Sequence, residues 1–264
     1  MPTNNTANIK QWLDQSEVDY FTQFVKAWIP FNAWYSHTYD TLEQERQILD
    51  QIKTDGNKIR SRLMAKLEGT DPDSEEIRNH IAALHRRLSA DPLEDRKKRR
   101  ISFENVSTGP NPNTKETLSS YGWTYTVERK KKPAKEVICE VINKSKVVIK
   151  AITHSGDWDE KTFELHADYL ALDTNKRPPL LACYKKANPY LFRSLLAEEG
   201  DTNPLEMDNY KFTRDPAAIF AGLVDVLYAM RNLLFHGELV PDPQANRTYE
   251  PAYHLLRHLI ATIV

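Results

Sequence analysis

Asp215-Pro-Ala-Ala-Ile-Phe-Ala-Gly-Leu-Val-Asp-Val-Leu-Tyr-Ala-Met-Arg-Asn-Leu-Leu-Phe-His-Gly237 is the most regular helical pattern in the chain. Asp215 has the side chain of a helix N-cap, and Pro216 fits the first helical position. Gly237 stands where a left-handed C-terminal residue belongs. The pattern predicts a helix over 216–235. At 100° per residue, Ala218, Ala221, Gly222, Asp225, Ala229, Asn232 and His236 fall within about 60° of Asp225. Phe220, Leu223, Val224, Leu227 and Leu234 cover the remainder. One face is therefore small and polar. It admits close approach of another helix or a ligand, and its polar members need partners if buried.

Helical patterns also occupy the other end of the chain. Ser16 can cap a first helix with Asp19 in its first turn. Val18, Phe21, Val25, Trp28, Asn32 and Tyr35 then recur at three- and four-residue steps, with Pro30 expected to kink or locally end the helix. A second helix is expected over 42–67 on the stripe Ile48, Ile52, Ile59, Leu63 and Leu67. A third, over 74–88, is opened by Asp71-Pro-Asp-Ser74, and a last one over 251–264 carries Tyr253, Leu256, Leu259, Ile260 and Ile263.

The middle differs. A basic run at 96–100 and a polar loop at 109–113 precede four alternating or β-branched runs, at 123–127, 136–142, 146–152 and 161–165. Turn residues such as Asn143-Lys144 and Ser155-Gly156-Asp157 separate them, which predicts a small antiparallel meander. The expected fold class is mainly α. Segments 10–68 and 187–264 would form a helical core, and 69–186 an insertion holding a helix, a basic loop and the β-meander.

Composition narrows the function. A net charge of −1 means that any nucleic-acid binding must come from a local patch. With 8 glycines, no GxG and no GxxxxGK[ST], a Rossmann or Walker phosphate loop is set aside. Cys139 and Cys183 are too few for a disulfide framework or a four-thiolate zinc site and point to a reducing compartment. The polar start, MPTNNTANIKQWLDQ, and the lack of an 18-residue uncharged apolar stretch argue against a signal peptide, a membrane span or a membrane partner. A cytosolic location is expected.

The chemistry concentrates at Arg231, Asn232 and His236. His236 falls at a helix C-terminus, where the dipole favours the imidazolium, so it is a candidate proton donor and acceptor near neutral pH. Arg231 offers a planar charged fork suited to phosphate, and Asn232, one turn before His236, can orient the imidazole or a ligand oxygen. In a straight helix Arg231 and His236 are about 140° apart. Convergence then requires the long Arg side chain, an opened helix end or a second subunit. The plainer alternative is a buried Arg–Asp pair, a capping His and a turn.

Arg231-Asn232-Leu-Leu-Phe-His236-Gly237 resembles the Arg-x4–6-His motif of the HEPN superfamily (higher eukaryote and prokaryote nucleotide-binding domains). Phe24-Val-Lys-Ala-Trp28-Ile-Pro-Phe-Asn32-Ala-Trp-Tyr35 resembles the first helix of several HEPN families. The likeness covers about the first 65 and last 75 residues. It implies a helical bundle that homodimerises with two motifs facing across one cleft. Many such proteins are metal-independent endoribonucleases of toxin–antitoxin or antiphage defence systems. Carried over, His236 would serve as general base or acid on the 2′-hydroxyl and the leaving 5′-oxygen. Arg231 would stabilise the phosphorane and Asn232 would orient it, leaving a 2′,3′-cyclic phosphate and a 5′-hydroxyl. Asp225 and Asn32 would support the site. RNA is the implied substrate, with an antitoxin or defence-system protein as a further partner and no cofactor. Glu238 stands where family members modified by a nucleotidyltransferase antitoxin carry Tyr, which speaks against AMP transfer there. The alternative from another class is a catalytically silent HEPN scaffold that binds nucleotide or partner proteins. A third reading is a regulatory component that docks through its insertion.

Other signals are weaker. Lys97, Lys98, Arg99 and Arg100, and Arg129, Lys130, Lys131 and Lys132, are candidate RNA-backbone contacts on the insertion. His254 and His258, four apart, could share a metal, but without an evident third ligand they read as solvent-facing or core-edge histidines. His154, Asp157, Asp159 and His166 read as turn chemistry. No metal site is expected.

Overall fold

The computed structural model describes residues 8, 9, 13, 17–95, 98–131, 135–156, 158–261 and 263. Ser16, Lys97, Lys132 and Asp157 lie outside them. Residues 1–108 together with 192–264 form one compact unit, and 109–191 a second.

In the first unit, α1 (Tyr20–Thr38) is capped by Asp19, whose carboxylate accepts the Thr22 N–H, and it runs on through Pro30. Its buried face is Phe24, Ala27, Trp28, Phe31 and Tyr35, while Val18 is exposed, so the stripe is rotated from the expected one. The expected helix over 42–67 is two helices, α2 (Glu45–Thr54) and α3 (Lys58–Glu68). Asp55-Gly56-Asn57 breaks it. Asn57 Oδ1 accepts the Arg60 N–H and its Nδ2 donates to the Ile52 carbonyl, which satisfies one helix end and the next start. Then come α4 (Pro72–Ala90), capped by Asp71, α8 (Pro216–Phe235) and α9 (Pro243–Ile260). α9 begins eight residues before the expected 251 because Asp242-Pro243 supplies cap and first position, and Pro251 is accommodated inside. α9 packs against α1 and α4, and α8 against α2 and α3. Tyr249 of α9 donates its hydroxyl to the Met230 carbonyl of α8 at 2.8 Å.

The second unit is a four-stranded antiparallel sheet in sequential order: β2 (Lys115–Ser120), β3 (Trp123–Lys130), β4 (Glu136–Ile142) and β5 (Val148–Ser155). Val137, Cys139 and Val141 alternate inward on β4, and Cys139 pairs with Val127 on one side and Ile152 on the other. Three helices follow: α5 (Glu160–Glu164), α6 (Ala167–Leu170) and α7 (Arg177–Lys186). α7 lays Leu180, Cys183 and Tyr184 into this core, where Tyr184 stacks on Phe163 at 4.0 Å. The expected strand at 161–165 is instead α5. A strand would put Phe163 and Leu165 on one face, but Asp159 caps a helical turn, Phe163 is buried and Leu165 is 76% exposed.

The remaining strands are β1 (Val106–Pro110) paired with β6 (Tyr190–Arg193), and β7 (Leu205–Met207) paired with β8 (Tyr210–Phe212). With 49% helix and 19% strand, the strands forming three antiparallel sheets among the described residues, the fold is mixed α and β, not mainly α. The strands absent from the sequence reading are short or polar, as in Lys115-Glu-Thr-Leu-Ser-Ser120. Pairing with a partner strand defines them, not a hydrophobic alternation. α4, expected in the insertion, belongs to the helical unit, where it packs on α9.

By length and composition α8 could cross a membrane, but Ile219, Phe220, Leu223, Val224, Leu227 and Met230 are buried in the unit's own core. Its small face is filled from the same chain. A Cβ on Gly222 would lie 2.4 Å from Leu195 Cδ1 and 2.8 Å from Val106 Cγ2. Gly222→Ala should therefore destabilise by about 1–2 kcal/mol, overpacking outweighing the better helix propensity of Ala. Urea unfolding checks this; a stabilised variant would mean that the notch is not filled.

Candidate functional site

The end of α8 closes with two paired bonds. Gly237, at φ +63°, gives its N–H to the Leu234 carbonyl at 3.2 Å, and Glu238 gives its N–H to Leu233 at 2.9 Å. This is a Schellman closure, and only a residue free of Cβ strain takes the left-handed position cheaply. His236 is the C-cap, its N–H bonded to the Asn232 carbonyl at 3.0 Å. Its imidazole is exposed and makes no hydrogen bond or ion pair with the described residues.

Arg231 is mostly buried. Its Nη1 meets Glu45 Oε2 at 3.2 Å and Asn232 Oδ1 at 2.9 Å, and its guanidinium lies 4.4 Å from the Phe235 ring centroid. Nε is buried without an acceptor, and no bond from Nη2 to a described residue is present. Glu45 also accepts the Tyr35 hydroxyl through Oε1, and Asn32 Nδ2 donates to that same hydroxyl. Burial first, then the Glu45 bond, pushes the Tyr35 phenol far above its usual range, so it remains a donor. Asn32, Tyr35, Glu45, Arg231 and Asn232 thus form one polar chain linking α1, α2 and α8.

Asn32, Arg231 and Asn232 are linked by hydrogen bonds and an ion pair, but no hydrogen bond, ion pair or ring contact joins the Arg231 and His236 side chains. Asp225 also lies apart, seven residues or about 10 Å along the helix from Asn232. It accepts from Arg46 Nη1 at 3.0 Å, Lys53 Nζ at 3.1 Å and the Ser107 N–H at 3.0 Å. The residues missed by the sequence reading are Glu45 and Tyr35. Tyr35 is visible on the apolar stripe, but nothing local marks Glu45, the first residue of α2, as its partner.

The basic residues are largely engaged. Arg99 pairs with Asp95 at 2.7 Å, Lys98 with Glu94 at 3.9 Å and Lys130 with Glu136 at 3.9 Å. Arg129 Nη2 donates to the Asn111 and Asn113 carbonyls, tying a loop to β3. Arg100 and Lys131 are exposed. The two runs also fall in different units, 98–100 in the helical one and 129–131 in the sheet unit. His154 bonds the Tyr184 hydroxyl at 2.8 Å, while Asp159 and His166 cap short helices. Cys139 and Cys183 are buried free thiols, pushed up to about 12 and about 11 by burial.

No family model matches the chain, and no curated protein or solved structure matches it.

Burial pulls the imidazoles of His80, His85 and His154 below their ordinary value; His254 and His258 add to this at His80, and His166 at His154. The unfolded chain takes up these protons near pH 6.5 while the folded chain resists. Their contribution to stability is present above about pH 6.5 and lost as pH falls below it. Melting temperature should fall between pH 7.5 and 5.5, before the carboxylates titrate. A level or rising profile would contradict the burial of these rings.

Proposed function

We propose that this chain is a metal-independent endoribonuclease of a toxin–antitoxin or antiphage defence system, acting in the cytoplasm as a homodimer. The observation that carries the reading is the pair of unsatisfied groups at one helix end: the unpartnered imidazole of His236 and the Nη2 side of Arg231. His236 would take the 2′-hydroxyl proton as the 2′-oxygen forms its bond to phosphorus. The P–O5′ bond breaks, and the imidazole of the second copy protonates the leaving oxygen. Arg231, held by Glu45 and Asn232, would face the developing phosphorane charge. Exposed Phe235 and Val240 flank His236 and supply apolar surface for a second copy.

One observation favours a second reading, a silent scaffold that binds nucleotide or a partner protein: Arg231 is ion-paired to Glu45 and mostly buried. Incubating the purified protein with structured RNA in excess EDTA separates the two. Cleavage with 2′,3′-cyclic phosphate ends supports the nuclease. Cleavage that needs added metal, or none at all, sinks it.

A further inference from the structure

His254 and His258 occupy one face of α9, and α4 sets Glu76 and His80, also four residues apart, against them. The two helices pack together. Glu76 Oε1 lies 3.6 Å from His80 Nε2 and 3.7 Å from His258 Nε2, and the three ligand atoms fall within 4.8 Å of one another. His254 lies flat on His80, with ring centroids 4.8 Å apart and planes at 6°. The lack of a third ligand, which weighed against a metal in the sequence, is thus removed by tertiary structure.

We infer that Glu76, His80 and His258 form a site for a divalent transition ion of the Zn2+ class, clamping α4 to α9. Two imidazole nitrogens and one carboxylate suit Zn2+ or Co2+, not Ca2+ or Mg2+, which take oxygen ligands. A tetrahedral zinc site needs ligand atoms about 3.3 Å apart. The observed spacing therefore calls for about 1 Å of side-chain adjustment, which the partly exposed His258 and the exposed Glu76 allow. Solvent supplies the remaining coordination position. One carboxylate faces the two ligating imidazoles, and the ring of His254, stacked on His80, fixes the orientation of that ligand. The site is separate from the motif: His258 lies about 22 Å along α9 from Pro243, the helix end that follows His236 in the chain.

The test is a calorimetric titration of the full chain with Zn2+ at pH 7.5, with melting curves and the visible absorption of added Co2+. The expected result is one Zn2+ per chain and a melting temperature raised by at least about 5 °C at a hundredfold excess over Kd. His80→Gln with His258→Gln should weaken binding by about a hundredfold or more, while the exposed control His37→Gln leaves it unchanged. Circular dichroism of the metal-free double variant checks that it is folded. Wild-type protein with no zinc-dependent heat and no melting shift overturns the proposal without reference to any variant. So does a folded double variant that binds as tightly as wild type, or an equal response to Mg2+. RNA cleavage in EDTA, run below the metal-free melting temperature, reports on His236 independently.

Discussion

His236→Ala is expected to reduce RNA cleavage in EDTA by about a thousandfold, the scale of a lost general acid–base group. The variant should remain folded. The imidazole is exposed and has no partner, and the main-chain bond from His236 to Asn232 survives the substitution. A stability change within about 0.5 kcal/mol is therefore expected. Arg231→Ala is a poorer probe, because it also strips Glu45 of its cation and uncovers Phe235. Arg231→Lys keeps a charge near Glu45 but removes the fork, so it should lose activity with less structural damage. Because the proposed step takes one imidazole from each copy, mixing His236→Ala with wild-type protein should lower activity by more than dilution, since each mixed dimer lacks one imidazole. A His236→Ala protein within tenfold of wild type, or a fully active monomer, would refute the composite site.

Asp225→Ala should cost about 3–5 kcal/mol of stability, the penalty for breaking a buried pair and leaving Lys53 with only the longer contact to Asp50 as counter-charge. The Lys53 side chain is 1% exposed, and its ammonium has Asp225, Asp50 and the Ser107 carbonyl as partners. Burial already pulls its pKa below the ordinary lysine value, with Asp225 the main force in the other direction. Removing Asp225 also leaves the Ser107 N–H without its acceptor. Adding Lys53→Met should restore much of the loss, since the poorly compensated charge goes with it. Asp225→Asn, assayed where it is folded, should retain RNA cleavage, because Asp225 braces α2 and β1 and lies away from His236. A loss under about 1 kcal/mol for Asp225→Ala, or an inactive but stable Asp225→Asn, would contradict this assignment.

The difference between the two parts of the polar face on α8 shows how far local reading reaches. A helical wheel puts Asp225, Asn232 and His236 on one side, which suggests a single site. In the structure Asp225 is claimed by Arg46 and Lys53, Asn232 by Arg231, and His236 by nothing among the described residues. The wheel specifies direction but not neighbours. A similar limit explains α2 and α3, where an apolar stripe continues in register across a break that Asp55-Gly56-Asn57 makes by local capping.

By itself, the sequence determined α8 from its Asp215 cap to its Gly237 terminus, the β4 strand and the position of the His236 motif. Each depends on interactions within about four residues or on a two-residue alternation, so a local pattern suffices. Only tertiary structure decided that Glu45 and Tyr35 hold Arg231, that Val106 and Leu195 fill the notch at Gly222, and that Glu76 and His80 face His254 and His258. Those pairings join residues of separate helices, strands and loops that lie side by side only in the packed chain. Their free energy comes from burial and charge compensation between distant segments, which no local periodicity records.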